Sequence, residues 1–382
     1  MANTVKRVLT SLVVLCLTTV AQADSATDEA FQNLANEYLG DLTSFSAVYA
    51  TLIGDHSADG ELDQVDAAGR EETLVLLREY KVALDALDFD QLSRANQVDA
   101  ALLLHDLEAN IWSTETLQEW AWNPLYYIQL SGSGIYGLLA RDFAPIEQRL
   151  ASAASRLEQL PRFLEQARGE LVPERVPKIH AETAVSQNQG LGSIIDNMIL
   201  PHMDSLPGDL KERLSNAIET ARDAIADHQT WLEEDLLPRA NGDFRIGAEL
   251  YDTKLAFALN SPLSRKEIKA RAELEYQNVR NEMYEVARTV YLEKYPMTAF
   301  PDQPDEAYKQ AIVRAALEEA YKALPPRDGI VEVARQQLEE ATNFVIEHDI
   351  VTMPEEPVEV IIMPSGGFWG GIGEPTIAVA AP

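Results

Sequence analysis

The stretch Leu210–Leu232, LKERLSNAIETARDAIADHQTWL, decides the fold class. Leu210, Leu214, Ala217, Ala221, Ile225, His228 and Leu232 recur at intervals of three and four, which lays them in one stripe along an α-helix. Pro207 and Pro238 bracket the segment. Further along, Ser264 followed by Glu267 forms a capping-box pair, each side chain able to satisfy the other residue's backbone N–H. It predicts a second long helix with an inward stripe of Ile268, Ala272, Tyr276, Val279, Met283, Val286 and Val290, ended by Pro296. The same periodicity covers 29–53, 68–87, 90–112, 144–168, 179–200, 305–324 and 329–347, with short connections rich in Pro, Asp and Gly. The expected architecture is mainly α, a large antiparallel helical array. No fixed repeat period is visible, which argues against a solenoid.

The two ends of the chain read differently. Lys6 and Arg7 precede an apolar run from Val8 to Val20, and Ala21-Gln22-Ala23 offers small residues to a signal peptidase, so 1–23 reads as a leader. Cys16, the only cysteine, lies inside it and is preceded by Leu15 instead of the small residue a lipid anchor requires. Cleavage after Ala23 predicts an exported, periplasmic or secreted product, free of cysteine, with no membrane association of its own. The helical domain is then 24–348. At 349–382 the composition turns to short β-branched runs, VEVIIM at 358–363 and TIAVA at 376–380, set among prolines. These read as the start of a small sheet region.

Charge narrows the partners. With 31 basic against 62 acidic residues the formal net charge is −31, and losing Lys6 and Arg7 makes it more negative. Nucleic acid, bound through Lys and Arg contacts to phosphate, is disfavoured, as is an anionic membrane surface. A solvated exported surface and a funnel for cationic substrates both remain open.

Four motifs carry possible chemistry. The run SGGFWGGIG at 365–373 is no phosphate loop: it lacks a following Lys and leads into a strand. Its glycines permit close approach of a substrate backbone or a bulged connection, so Gly366, Gly367, Trp369, Gly370, Gly371 and Thr376 are candidates for a substrate-binding strand edge. The segment DHSADGELDQVD at 55–66 follows the calcium-loop pattern, with Asp55, Ser57, Asp59, Glu61, Asp63 and Asp66 as candidate ligands and Gly60 at the sharp turn. Position twelve carries Asp66 where the pattern wants Glu, and a solvated acidic connection is the alternative. Among six histidines none forms H-E-x-x-H; His180-Ala181-Glu182 comes nearest, and His228 on its helical stripe reads as core. No G-x-S-x-G is present. The aromatic group Trp112, Trp120, Trp122, Tyr126, Tyr127 and Tyr136 suits either a cleft wall or core.

Taken in order, GDHSADGELD (54–63), NPLYYIQLSGSGIYGLLARDFAP (123–145), RLEQLPRFLEQARGEL (156–171), FRIGAELYDTKLAFALNSPLSRKEI (244–268) and EMYEVA (282–287) resemble the bacterial domain-of-unknown-function 885 family. Its members look like zinc metallopeptidases of the gluzincin type. The resemblance implies a deep cleft between helices, closed on one side by a small sheet. It also implies zinc on an H-E-x-x-x-x-G-H-type motif and a later Glu, both beyond the part corresponding to this chain's last residues. No such motif occurs here, so no ligand or general base carries over and no cofactor is expected in this chain. The expectation is an N-terminal, substrate-cleft part of an exported metallopeptidase-like hydrolase, truncated before its metal-binding part and inactive alone. A peptide or small-molecule substrate and a missing C-terminal half are its implied partners. The alternative is a non-catalytic periplasmic helical binding or interaction protein.

Overall fold

Helices realise almost all of the periodic segments in the structure, a computed structural model that describes residues 25–353, 358–363 and 376–380. In chain order they are α1 (Ser25–Gly40), α2 (Leu42–Phe45), α3 (Ala47–Ile53), α4 (Ala67–Asp85), α5 (Arg94–Trp112), α6 (Pro124–Leu139) and α7 (Ile146–Glu170). There follow α8 (Lys178–Ile194), α9 (Gly208–Trp231), α10 (Leu237–Arg239), α11 (Ala248–Leu259), α12 (Arg265–Lys294), α13 (Glu306–Tyr321) and α14 (Ile330–Glu347). The segment expected as one helix over 29–53 is three, because the chain turns at Asp41 and again at Ser46, whose hydroxyl accepts from the Tyr49 N–H and starts α3.

The chain divides into two units. The first, Met1–Asp41 with Thr73–Trp112, packs α1 against α5 and buries Phe31, Leu77, Leu84 and Leu107. Tyr80 is buried there; its hydroxyl donates to Asp41 at 2.6 Å and its ring meets Tyr38 edge-on.

The second unit, Leu42–Glu72 with Ser113–Pro382, is built on α6, α7, α8 and α9. Its core joins Leu157, Leu160, Phe163 and Leu164 of α7 to the α9 stripe, of which Leu214, Ala217, Ala221, Ile225 and His228 are buried as expected. Both α8 and α9 leave regular winding near their ends, where 195–199 and 232–236 form wider turns. Each widening holds the residue four before a proline, Asn197 before Pro201 and Glu234 before Pro238. A proline ring clashes with the carbonyl four residues back, and the wider turn relieves that clash.

Beyond this bundle α12 and α13 form a hairpin around Tyr284, Ala287, Ile312, Val313 and Ala316. The capping box of Ser264 and Glu267 starts α12 as the sequence indicates. The expected inward stripe of α12 is corrected by the structure: Tyr276, Val279, Met283 and Val286 are 42–66% exposed. The helix has a broad apolar side, and α13 covers only the strip through Tyr284 and Ala287. Val286→Lys should therefore shift the urea midpoint by less than about 0.5 kcal/mol equivalent. Tyr284→Ala should cost about 3 kcal/mol. The contrast checks which strip is covered. Strands β1 (Glu359–Met363) and β2 (Thr376–Ala380) pair antiparallel, with Glu359 opposite Ala380 and Met363 opposite Thr376.

Candidate functional site

The starts of α6 and α8 and the middle of α11 bring polar and aromatic groups of the second unit together around Glu119. Asn123 caps α6 by accepting from the Leu125 N–H, and Pro124, whose missing N–H is no loss at that position, opens the helix. The Asn123 amide donates to a Glu119 carboxylate oxygen at 2.8 Å. Trp122 is pinned by its indole N–H, which donates to the Leu117 carbonyl at 3.0 Å, and its ring stacks on His180 with centroids 5.9 Å apart. From α11, the Lys254 ammonium stands 3.5 Å from the other Glu119 oxygen.

The approach of α11 depends on one glycine. The Gly242 N–H donates to the Val176 carbonyl at 2.9 Å, and a Cβ there would lie 2.0 Å from the Arg175 carbonyl oxygen. Only glycine lets the strand-like contact of Gly242 with Pro177 form beside the start of α8, a few residues before α11 begins.

Burial sets the protonation of this cluster. His180 is held below the ordinary imidazole range by desolvation, which Glu119 opposes, so the ring is neutral at pH 7. Its Nδ1 is buried and finds no hydrogen-bond partner among the described residues. Tyr126 is pushed up to about 12 by desolvation, with the charges of Asp63 and Glu119 adding to the effect. The residue is nonetheless 44% exposed. The neighbouring Tyr127 is core instead: it is buried and donates to the Trp120 carbonyl at 2.7 Å. Behind it, Arg70 lies 3.7 Å over the Trp120 ring and pairs with Glu170 at 2.6 Å. The aromatic group thus divides between surface and core.

The acidic segment 55–66 is occupied with its own fold. Asp55 accepts from the Ser57 N–H, Asp59 from the Thr51 hydroxyl at 2.7 Å and lies beside His56, and Asp63 from the Ser46 hydroxyl and the Val48 N–H. Asp66 accepts from the Gly69 N–H and the Gln166 amide. Glu61 offers its backbone carbonyl to Arg156 at 2.8 Å, its side chain lying exposed. One row of α7 reads the loop: Arg156 takes that carbonyl, Gln159 the Gly60 carbonyl, Arg162 those of Leu62 and Asp63, and Gln166 accepts from the Val65 N–H. The carboxylates face separate partners, and no group of three or more His, Cys, Asp or Glu able to hold a metal occurs among the described residues.

The other sequence candidates fare unequally. Gly366, Gly367, Trp369, Gly370 and Gly371 lie outside the described residues, and Thr376 is paired in β2 with Met363. Glu182 pairs with Lys178 at 3.8 Å and not with His180. Sequence reading missed Glu119, Lys254 and Arg156. Its one usable signal for the first was the density of aromatics from 120 to 127. A separate open cavity of about 490 Å³ lies at the α11–α12 turn, floored by Leu255 and Leu263 and rimmed by Arg265, Lys266 and Lys269. Its Arg265 is already paired with Asp252 at 2.8 Å.

A family model described as a bacterial protein of unknown function (DUF885) matches residues 48–366. No curated protein matches the chain. A solved structure described as "a putative lipoprotein of unknown function from Shewanella oneidensis" is similar with a TM-score of 0.68 and 27% identity. The match covers 90% of this chain and 63% of that one, so this chain spans less than two thirds of that relative's length. Among the described residues no helix is long and apolar enough to cross a membrane.

Proposed function

The chain belongs to the bacterial DUF885 family of unknown function, and from that premise we propose that it supplies the substrate-holding part of an exported, metallopeptidase-like hydrolase. The observation that carries this reading is the cluster around Glu119, a partly exposed carboxylate bonded to Asn123 and paired with Lys254, with the stacked Trp122 and His180 and the Tyr126 phenol nearby in the chain. Groups of that kind bind and orient a peptide. In longer relatives the resemblance puts zinc, which would activate a water, on an H-E-type motif that this sequence lacks. Hydrolysis by a metal-activated water is therefore not expected from this chain alone. The leader-like residues 1–23, and the description of a longer relative as a lipoprotein, support an envelope location.

The test is to incubate the purified chain with a mixture of short peptides, with and without a chelator, and to follow both binding and products by mass spectrometry. Binding without cleavage is expected. Turnover that a chelator abolishes would overturn the reading. A second reading, a non-catalytic binding or interaction module, is favoured by the apolar strip that α12 leaves at the surface. Adding the unshared part of a longer relative separates the two: restored hydrolysis favours the first, unchanged binding the second.

A further inference from the structure

We infer that Glu119 receives the free ammonium group of a peptide's amino terminus, in place of Lys254, with the first side chain of the peptide against Trp122 and Tyr126. This rests on the substrate-holding reading and names the substrate class for it.

The argument starts from how Glu119 is shared. One oxygen is fixed by the Asn123 amide at 2.8 Å. The other meets Lys254 at 3.5 Å, within reach of attraction but long for a hydrogen bond. Lys254 is 47% exposed and sits on a flexible four-carbon stem, so the existing pair is weak and easily given up. Glu119 itself is 31% exposed, open enough for a ligand to reach.

The surroundings favour a cation with an apolar neighbour. Trp122 is held in place by its N–H bond and by stacking on His180, and an indole face attracts ammonium groups. Tyr126, exposed in the first turn of α6 four residues after Trp122, is the nearest further aromatic in the chain on that side of Tyr127. An ammonium has three N–H groups, of which the exposed Glu119 oxygen can take one or two and solvent the rest. The whole chain carries a formal charge of −31, a balance that favours cationic over anionic ligands in general. An acetylated amino terminus keeps the shape of the peptide and loses the charge.

The experiment titrates the full chain, by calorimetry and by tryptophan fluorescence, with three probes: leucylglycylglycine amide, its N-acetyl form, and an N-acetyl peptide of equal length containing lysine. The free amino terminus should bind about tenfold or more tighter than the acetylated form. Glu119→Gln should weaken it about tenfold, and Lys254→Ala should leave it unchanged or tighten it. The acetylated lysine peptide should bind no better than the acetylated parent; if it matches the free amino terminus, the site takes any ammonium and the assignment to the amino terminus fails. Equal binding of free and acetylated parents sinks the ammonium reading while the substrate-holding reading stands. Should no peptide bind, both fall. The acetylation arms use the unmodified protein, so they decide the matter even if Glu119→Gln does not fold.

Discussion

Arg156→Met should lower the stability of the second unit by about 3–5 kcal/mol, read as a drop in the urea midpoint with little change in slope. Arg156 is fully buried on α7 and ties four places together. Its guanidinium donates to the Gly134 carbonyl at 2.6 Å, the Thr51 hydroxyl at 2.7 Å, the Glu61 carbonyl at 2.8 Å and the Ala47 carbonyl at 3.2 Å. Burial pulls it down to about 10, with Asp59, Asp63 and Glu61 pulling the other way. Methionine matches much of the volume and supplies no donor. Three carbonyls and the Thr51 hydroxyl would then lose that donor, and Asp59 and Asp63 the positive charge that offsets theirs; a buried acceptor left short of a donor costs more than the net value of the bond it loses. Packing limits any relief. A Cβ at Gly134 would already touch Leu62 and Val48 at 3.2 Å, so α6 lies too close for the residues to shift and fill the gap. Arg162→Met gives the control. That side chain is only partly buried and also reads the loop, so its loss should cost no more than about 1–2 kcal/mol. Equal effects at the two positions would show that the loop, and not the buried charge, holds this part together.

The same arginine shows why some of the fold was legible in the sequence and some was not. Periodicity reports which side of a helix is apolar, and on α9 that side is covered, so the reading of Leu214, Ala221 and His228 holds. On α12 the pattern is as clear, yet Val279 and Val286 face outward, because periodicity carries no information about what lies opposite. The capping box at Ser264 was legible because both partners are three residues apart. Glu119 and Lys254 are 135 positions apart and meet only after the bundle has formed and Gly242 has admitted α11. In the acidic loop, residue types and spacing fit a calcium pattern, while the deciding partners, Arg156, Gln159, Arg162 and Gln166, lie about 100 residues later. A polar row on α7 reads in sequence as a solvated face. In the structure it is the surface on which the loop is folded.

Between pH 6.5 and about 4 the protein should lose stability steeply, and His228→Gln should flatten that loss. His228 is 2% exposed on the inner side of α9 and stacks with Trp231. Its Nδ1 accepts from the Arg168 Nε–H at 3.1 Å, so in the folded protein the other nitrogen carries the proton. Protonating Nδ1 would break that bond and set two positive groups against each other in a buried place. Desolvation first, and the Arg168 charge second, accordingly hold His228 down to about 3, against an ordinary value of 6.5. The unfolded chain therefore binds a proton in this window that the folded chain does not, and stability rises with pH across it. The contribution is complete above about pH 6.5 and is lost as pH falls toward about 3, at up to roughly 1.4 kcal/mol per pH unit. His180, lowered in the same direction but half-buried, adds a smaller part. The carboxylates that ion pairs hold low, such as Glu158 beside Arg213, lose their contribution only below about 4.5, whereas Asp63, raised by desolvation, works in the opposite direction and is common to both proteins, so the difference between them reports His228. Gln keeps an acceptor for Arg168 and cannot be protonated, which makes it the informative replacement. Urea midpoints at pH 7.5, 6, 5.5 and 5 for both proteins decide the point: parallel profiles would mean that His228 is already charged, or already unfolded from its place against Arg168, at neutral pH.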